Sequence, residues 1–168
     1  MIPNQKTKEK LDYDQFKSRV LEDYRLAYKS RACSLLGRRE VLSGKGSFGI
    51  FGDGKELPQL VINHFFETGD FRAGYYRDQT LLMGQDFLDE QAFFHAIYAT
   101  TEPGKEPMSS GRQMGGHFMT PLIDEKGEWL PLHQLKNHSA DLSPTAAQMP
   151  RVLGLAQASK VYRALDSK

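Results

Sequence analysis

The placement of glycine and proline constrains this chain more than any other feature of its sequence. Residues 43–58, SGKGSFGIFGDGKELP, contain five glycines, and residues 100–116, TTEPGKEPMSSGRQMGG, contain four glycines and two prolines. Glycine weakens the interior of helices and strands, and proline removes a backbone donor, so both segments are predicted to be loops. The chain is thereby divided into blocks that must each form their own regular structure.

The first block predicts a long amphipathic helix that starts at Leu11. Apolar side chains recur at spacings of three and four residues, which places them on one face. Gly37 is expected to end this helix, with Arg38 and Arg39 near the negative end of the helix dipole. We interpret the stripe as the face of a surface helix that packs on a neighbouring element. Its members are Tyr13, Phe16, Val20, Tyr24 and Ala27.

Helical patterns also dominate the other blocks. Pro58 suits the first turn of a helix over LPQLVINHFFET, and helical spacing resumes in LLMGQDFLDEQAFFHAIYA. SPTAAQMPRVLGLAQASKVYRAL predicts a long helix after a short lead-in segment. Residues 1–10 are expected to be disordered and residues 11–168 to form a single domain. The long helix carries small residues that permit close helix packing: Ala146, Ala147, Gly154 and Ala158.

Composition excludes several classes of function. Twenty-two basic and 21 acidic residues leave a net charge of +1, which does not indicate a nucleic-acid or membrane-surface partner. Cys33 is the only cysteine, so no intrachain disulfide can form, and this fits a reducing compartment. No apolar run is long enough to span a bilayer, and the polar N-terminus has no apolar signal core. The sequence predicts a cytoplasmic protein.

Two positions carry candidate chemistry when the residues are taken one by one. Tyr76 and Arg77 place a hydroxyl beside a permanent cation, which suits a phosphate group, although these two residues alone favour a Tyr packed at a helix start with its Arg on a surface acid. His117 follows two glycines and could be an acid, a base or a donor, or a structural histidine. One cysteine and five scattered histidines show no zinc-ligand spacing.

Three stretches in order give a more specific indication. YYRDQTLLMGQ, then SSGRQMGGHF, then LSPTAAQMPRVLGLAQASK resemble the alpha part of the thiamine-diphosphate-dependent decarboxylase component of 2-oxoacid dehydrogenase complexes. The branched-chain branch is the most similar, through the run Gly111–Met114 with His117 and the string from Ser143 to Pro150. The resemblance covers roughly residues 35–165 and implies the first portion of a thiamine-diphosphate-binding α/β fold, helix-rich with few short strands.

The resemblance implies a role for each matching residue. Tyr76 and Arg77 match the pair that holds the cofactor diphosphate, and His117 matches the histidine of the glycine-rich loop that lines the active-site funnel. Ser143 and Thr145 match the segment whose backbone contacts the aminopyrimidine region. The family usually has an aliphatic residue in place of Thr145, a change that a backbone contact tolerates.

No metal site is predicted on this chain. Ala147 stands where members that bind a monovalent cation commonly have a threonine, so that ion is not expected. The tripeptide Gly52-Asp53-Gly54 looks like the family's Mg²⁺ motif, but it precedes Tyr76 instead of following the SPTAAQMP helix, and no Asn-Asn pair accompanies it. A single Asp on a glycine loop does not supply a magnesium ligand set, so FGDGKE is predicted to be a turn that leads into the Pro58 helix.

The resemblance implies oxidative decarboxylation of a branched-chain 2-oxoacid, with thiamine diphosphate and Mg²⁺ in the complete enzyme and acyl transfer to a lipoyl group. The expected partners are the beta part of the enzyme, separate or fused, and the lipoyl acyltransferase component. The chain is expected to be an N-terminal piece of that enzyme that is inactive alone, binds no cofactor by itself and self-associates. Two alternatives stay open: a non-catalytic module for a phosphate ligand, and an assembly or scaffold domain.

Overall fold

A computed structural model describes residues 10–106, 108–113 and 116–166 of the chain. Over these residues, five α-helices and a two-stranded parallel sheet confirm the expected helix-rich α/β class with few short strands. The predicted disorder of residues 1–10 falls on a segment of which only residue 10 is described. The elements in chain order are α1 (Tyr13–Leu42), α2 (Glu56–Asn63), β1 (Phe71–Tyr75), α3 (Gln79–Gly84), α4 (Glu90–Ile97), a 3-10 turn (Leu132–Gln134), β2 (Asn137–Leu142) and α5 (Gln148–Asp166).

Helix α1 starts at a capping box. The Asp12 carboxylate accepts from the Gln15 N–H at 2.8 Å, and the Gln15 side chain accepts from the Asp12 N–H at 3.1 Å, so two orphan donors of the first turn are satisfied. The interpretation of the apolar stripe as a packed face is wrong over the described residues. Tyr13 is 76% exposed and Tyr24 is 67% exposed.

Gly37 does not end α1, contrary to the prediction, because the helix continues to Leu42. A Cβ at Gly37 would lie 2.7 Å from Cε1 of Phe51 and 2.8 Å from Cδ1 of Ile97. The missing side chain therefore lets two distant residues pack on the helix backbone, which offsets the intrinsic cost of about 1 kcal/mol for glycine in a helix. The helix stops just before Gly44, whose φ of 78° is left-handed.

Helices α1 and α3 are joined through buried polar groups. The Ser30 and Thr80 hydroxyls lie 2.7 Å apart, and Nε2 of Gln79 donates to the Ser30 carbonyl at 2.7 Å. The Gln79 amide also donates to the Ser34 hydroxyl at 3.1 Å. Because these groups satisfy one another in a buried contact, they favour one alignment of the two helices.

Helix α2 follows the glycine-rich loop as predicted, with Pro58 in its first turn, and ends at Asn63, earlier than the pattern indicated. Its first residue, Glu56, is buried and forms a two-pronged ion pair with Arg31 of α1 at 2.6 and 2.8 Å. At its other end, the Asn63 amide donates to the Gly84 carbonyl at 3.2 Å. Both ends of α2 are thus fixed to neighbouring helices.

The pattern in LLMGQDFLDEQAFFHAIYA forms two helices and not one. Helix α3 ends at Gly84, and the chain reverses through Asp86, which has a φ of 55°. Asp89 then caps α4 by accepting from the Ala92 N–H at 2.7 Å. Aspartate tolerates the left-handed region and is a preferred N-cap, so the polar letters inside this pattern mark the break.

Strands β1 and β2 pair in parallel. Phe71 lies opposite Asn137 and Tyr75 opposite Leu142, with an irregularity in register between Ala73 and Tyr75. The connection between them, residues 76–136, contains α3, α4, the 3-10 turn and the polar loop of residues 100–116. Because the strands are parallel, the segments that follow their carboxyl ends lie at the same edge of the sheet.

Helix α5 follows β2 and confirms the predicted long helix after a short lead-in. An Arg151 guanidinium nitrogen donates to the Ala140 carbonyl and so ties the start of α5 to β2. No described atom outside the helix's own turns lies within 4 Å of the Cβ position of Gly154, so the expected close packing is not formed at this residue.

The apolar core lies between α1, α3 and α4. Its buried members are Cys33, Leu82, Met83, Leu88, Phe93, Ile97 and Phe118. Within the described ranges, no helix has the length and apolar character that crossing a membrane requires.

Candidate functional site

The predicted site residues of the first and third motifs follow the two strands. Tyr76 and Arg77 come directly after β1, while Ser143 and Thr145 come directly after β2. The Tyr75 and Tyr76 hydroxyls lie 2.6 Å apart and share a hydrogen bond. This bond lowers the pKa of Tyr75, and a hydrogen bond with the Thr145 side chain adds to that effect, whereas burial opposes it. The bond between the two hydroxyls raises the pKa of Tyr76. The two motifs therefore meet across the sheet edge.

His117 joins this edge from the second polar loop. Its Nε2 lies 2.5 Å from Oγ of Ser143, a short hydrogen bond that links the loop to the segment after β2. Gly116 has a φ of 88°, and a Cβ there would lie 3.3 Å from the Tyr76 carbonyl oxygen. The glycine thus brings the loop backbone against the Tyr-Arg pair. Met114 and Gly115 of the same motif lie outside the described residues.

Arg77 is held by its backbone. Its carbonyl accepts from Nε2 of Gln59 at 3.0 Å and lies 2.7 Å from the Cβ position of Gly52. Its guanidinium carbon lies 5.5 Å from the centroid of the Tyr76 ring. Nε of Arg77 is buried and has no hydrogen-bond partner among the described residues, and no described carboxylate forms an ion pair with it. The alternative with Arg77 on a surface acid is not seen.

The Gly52-Asp53-Gly54 tripeptide forms the predicted turn. The Lys55 N–H donates to the Gly52 carbonyl at 3.0 Å, and the turn leads directly into α2. The Asp53 carboxylate forms an ion pair with Arg38 of α1 at 2.6 Å. Among the described residues, no group of three His, Cys, Asp or Glu side chains is placed to hold a metal ion.

A buried charge cluster behind the site was not predicted from the sequence. Arg72 of β1 is 6% exposed, and its guanidinium lies 2.7 Å from Asp78, 2.7 Å from Asp141 and 3.2 Å from Nδ1 of His138. The His138 ring also stacks on the Phe66 ring, with centroids 5.5 Å apart, and lies tilted against the Phe87 ring at 4.9 Å. The sequence does show that Arg72, His138 and Asp141 are polar residues inside strand segments. Only the parallel pairing of β1 with β2 shows that their side chains meet.

The cluster shifts two pKa values in opposite directions. Burial raises the pKa of Asp141 to about 7, against the attraction of Arg72. Burial and then the Arg72 charge lower the pKa of His138 to about 4, so the imidazole is neutral at pH 7 and its Nδ1 accepts from Arg72. Of these two groups, Asp141 is therefore the one whose pKa lies near neutral pH.

The loop that carries His117 is organised by a second buried carboxylate. Glu106 is 4% exposed and accepts from the N–H groups of Met108 at 2.9 Å, Ser109 at 2.7 Å and Gly111 at 3.1 Å, and from the Ser109 hydroxyl at 2.8 Å. Burial opposes ionisation of Glu106, but these bonds outweigh it and lower its pKa. The Ser109 hydroxyl in turn accepts from the Arg112 N–H at 3.1 Å. The path along SSGR is thus fixed by one side chain.

A small enclosed cavity lies between Tyr76, Gly116 and the apolar core. Its volume is about 10 Å³, which is room for about one water molecule. The cavity is therefore too small to hold a cofactor or a substrate.

No model of a known protein family matches the chain, and no curated protein matches it.

Proposed function

We propose that this chain is the alpha part of a thiamine-diphosphate-dependent 2-oxoacid decarboxylase, with branched-chain 2-oxoacids as the substrate class. The observation that carries the proposal is the convergence of three separate motifs at one sheet edge, with Nε2 of His117 2.5 Å from the Ser143 hydroxyl. Their convergence supports a shared site, because it gathers two phenol hydroxyls, a guanidinium and an imidazole at one edge.

The Arg77 environment fits a diphosphate. Its guanidinium is fixed by the Tyr76 ring and carries a buried Nε without a partner among the described residues. An arginine with free donors and no competing carboxylate suits a phosphate oxygen, because the guanidinium keeps its charge and offers paired N–H groups. In the proposal, Tyr76 and Arg77 hold the diphosphate, and the backbone at Ser143 and Thr145 orients the aminopyrimidine.

Thiamine diphosphate, when bound, supplies an electron sink for loss of carbon dioxide from a 2-oxoacid. The role proposed for this chain's residues is to bind and position. His117 holds or donates a proton at Nε2, and Ser143 fixes the orientation of that ring. No Mg²⁺ ligand is assigned to the described residues.

The proposed partners are the beta part of the enzyme and the lipoyl acyltransferase component. Exposed apolar side chains on α1 and α5 support an assembly in which these helices are covered, because large exposed apolar patches mark interaction surfaces. The clearest examples are Phe16 at 55%, Tyr24 at 67%, Leu153 at 71% and Tyr162 at 67% exposed. Alone, the chain is proposed to be inactive.

The test is an NMR titration of the ¹⁵N-labelled chain with thiamine diphosphate and Mg²⁺. The chain is not expected to retain the cofactor by itself, but NMR detects contacts that are far weaker than stable binding. Shifts should appear at Tyr76, Arg77 and Ser143, and Arg77→Ala should weaken binding about tenfold or more, as loss of a hydrogen bond to a charged group does. Arg38→Ala is the matched control, because that arginine already pairs with Asp53. Equal affinities in both variants would refute the assignment.

Inorganic pyrophosphate and thiamine are titrated in parallel. If pyrophosphate binds at Arg77 as tightly as the cofactor and thiamine adds nothing, the chain is a phosphate-ligand module and the proposal fails. In the assembled enzyme, His117→Ala should lower turnover far more than it lowers cofactor affinity.

A further inference from the structure

Asp141 connects the His117 loop to strand β1. One carboxylate oxygen of Asp141, Oδ1, lies 2.7 Å from Nη2 of Arg72, and the other, Oδ2, accepts from the Phe118 N–H at 3.1 Å. The Asp141 N–H donates back to the Phe118 carbonyl at 3.3 Å. Its side chain is fully buried. Because Phe118 directly follows His117, Asp141 fixes the backbone at the point where the loop leaves the site.

Arg72 continues the connection to the Tyr-Arg motif. Its Nη1 lies 2.7 Å from Oδ2 of Asp78, and the same oxygen accepts from the Tyr75 N–H at 3.0 Å. Asp78 directly follows Arg77. The buried groups therefore link the residue after His117 to the residues on both sides of the Tyr76-Arg77 pair.

We propose that Asp141 is a positioning residue that holds the His117 loop against the end of β1, acting through Phe118 on one side and Arg72 on the other. The functional meaning of this role rests on the proposed function, but the mechanical link itself does not. Asp141 sets where the imidazole lies through the backbone of Phe118, the residue after His117.

The charge on Asp141 makes the link sensitive to pH. The groups that face it are Arg72 from β1, Asp78 from the turn after β1 and, across Arg72, His138 from β2. Arg72 stays charged and His138 stays neutral near pH 7, because burial lowers the pKa of His138 to about 4. Burial raises the pKa of Asp141 to about 7, so its ionisation in this range strengthens the bond from the Phe118 N–H.

The experiment follows the cofactor-free chain by NMR from pH 5 to pH 9. The Asp141 carboxyl carbon and the Phe118 amide proton should share one inflection near pH 7, with the amide proton moving downfield as pH rises. In Asp141→Asn this inflection should vanish, the hydrogen-exchange protection of Phe118 should fall about tenfold, and the nuclear Overhauser effect between the His117 ring and Ser143 should weaken.

Asp78→Asn is the matched control, because it removes a carboxylate from the same Arg72 and leaves the Phe118 bond in place. It should keep both the Phe118 inflection and the contact between His117 and Ser143. The proposal is overturned if Asp78→Asn changes the His117 contact as much as Asp141→Asn does, or if the wild-type Phe118 amide shows no inflection shared with Asp141. The wild-type titration decides even if Asp141→Asn fails to fold, and neither measurement depends on thiamine diphosphate.

Discussion

Replacing Gly74 by alanine is expected to lower the free energy of unfolding by about 2–4 kcal/mol. A Cβ at this buried position in β1 would lie 2.5 Å from Nη1 of Arg72 and closer still to Oδ1 of Asp141, whereas real Cβ contacts essentially never fall below 3.0 Å. Side-chain ends can often move aside, but both of these are buried and fixed by further bonds to Asp78 and Phe118.

The magnitude follows from the pair that must separate. Breaking a buried ion pair costs about 3–5 kcal/mol, because it leaves charge without compensation in the interior. Alanine lowers the conformational entropy of the unfolded chain relative to glycine, which raises the free energy of unfolding by about 0.4–1 kcal/mol and offsets part of that cost. For a chain of this size, the net loss corresponds to a fall in Tm of about 4–16 °C.

The assay is urea unfolding at about pH 9, well above the Asp141 pKa of about 7 so that the ion pair is formed, followed by far-ultraviolet circular dichroism, which reports the helices. Gly154→Ala is the matched control, since the same added methyl group meets nothing within 4 Å in α5. That variant should gain about 0.5–1 kcal/mol through higher helix propensity. If Gly74→Ala unfolds within about 0.5 kcal/mol of wild type, the Arg72–Asp141 pair is not held as described and the reasoning is refuted.

Three further outcomes are expected. Glu106→Ala should lower the free energy of unfolding by about 1.5–3 kcal/mol or more and speed amide hydrogen exchange at Ser109. Glu106→Gln keeps one acceptor oxygen, so its loss of stability should be smaller. Equal exchange rates at Ser109 in both variants would contradict this. Arg31 lowers the pKa of Glu56, so Glu56 contributes stability above its ordinary pKa that is lost as pH falls through the lowered value. Acid unfolding of Glu56→Gln should therefore depend less on pH below about 4.3. Neutral His138 contributes stability above its ordinary pKa of about 6.5, and this contribution is lost as pH falls towards about 4. In His138→Phe, the free energy of unfolding should therefore fall less between pH 6.5 and pH 4 than in the wild type. An unchanged pH dependence over this range would exclude the idea.

Local signals in the sequence predicted local structure well. Pro58 and the glycine-rich turn before it correctly gave the start of α2, and the small-residue segment gave α5. Gly37 misled the prediction because its packing partners, Phe51 and Ile97, are far away in the sequence. The break at Asp86 was missed because helical spacing continued through it, although its φ of 55° shows a reversal.

The candidate site divides in the same way. Tyr76, Arg77, His117 and Ser143 were found because each belongs to a short motif, and the parallel strands bring them to one edge. Asp141 was not found, since its importance depends on which strand pairs with β2 and in what register. Before the pairing is known, a charged residue inside a strand is expected to face solvent at the edge of the sheet.

The long connection between the two strands has a consequence for how the molecule acquires its site. The sheet pairs only after the whole segment 76–136 has closed into a loop, and the entropy of that closure is lost before any contact between β1 and β2 repays it. Helix α2 contacts α1 and α3 at sequence separations of 21–25 residues, so these local contacts can form first. The junction of Tyr75 with Thr145, which needs that closure, is then expected to form late in folding, whereas the contact of His117 with Ser143 closes a loop of only 26 residues and can form before it.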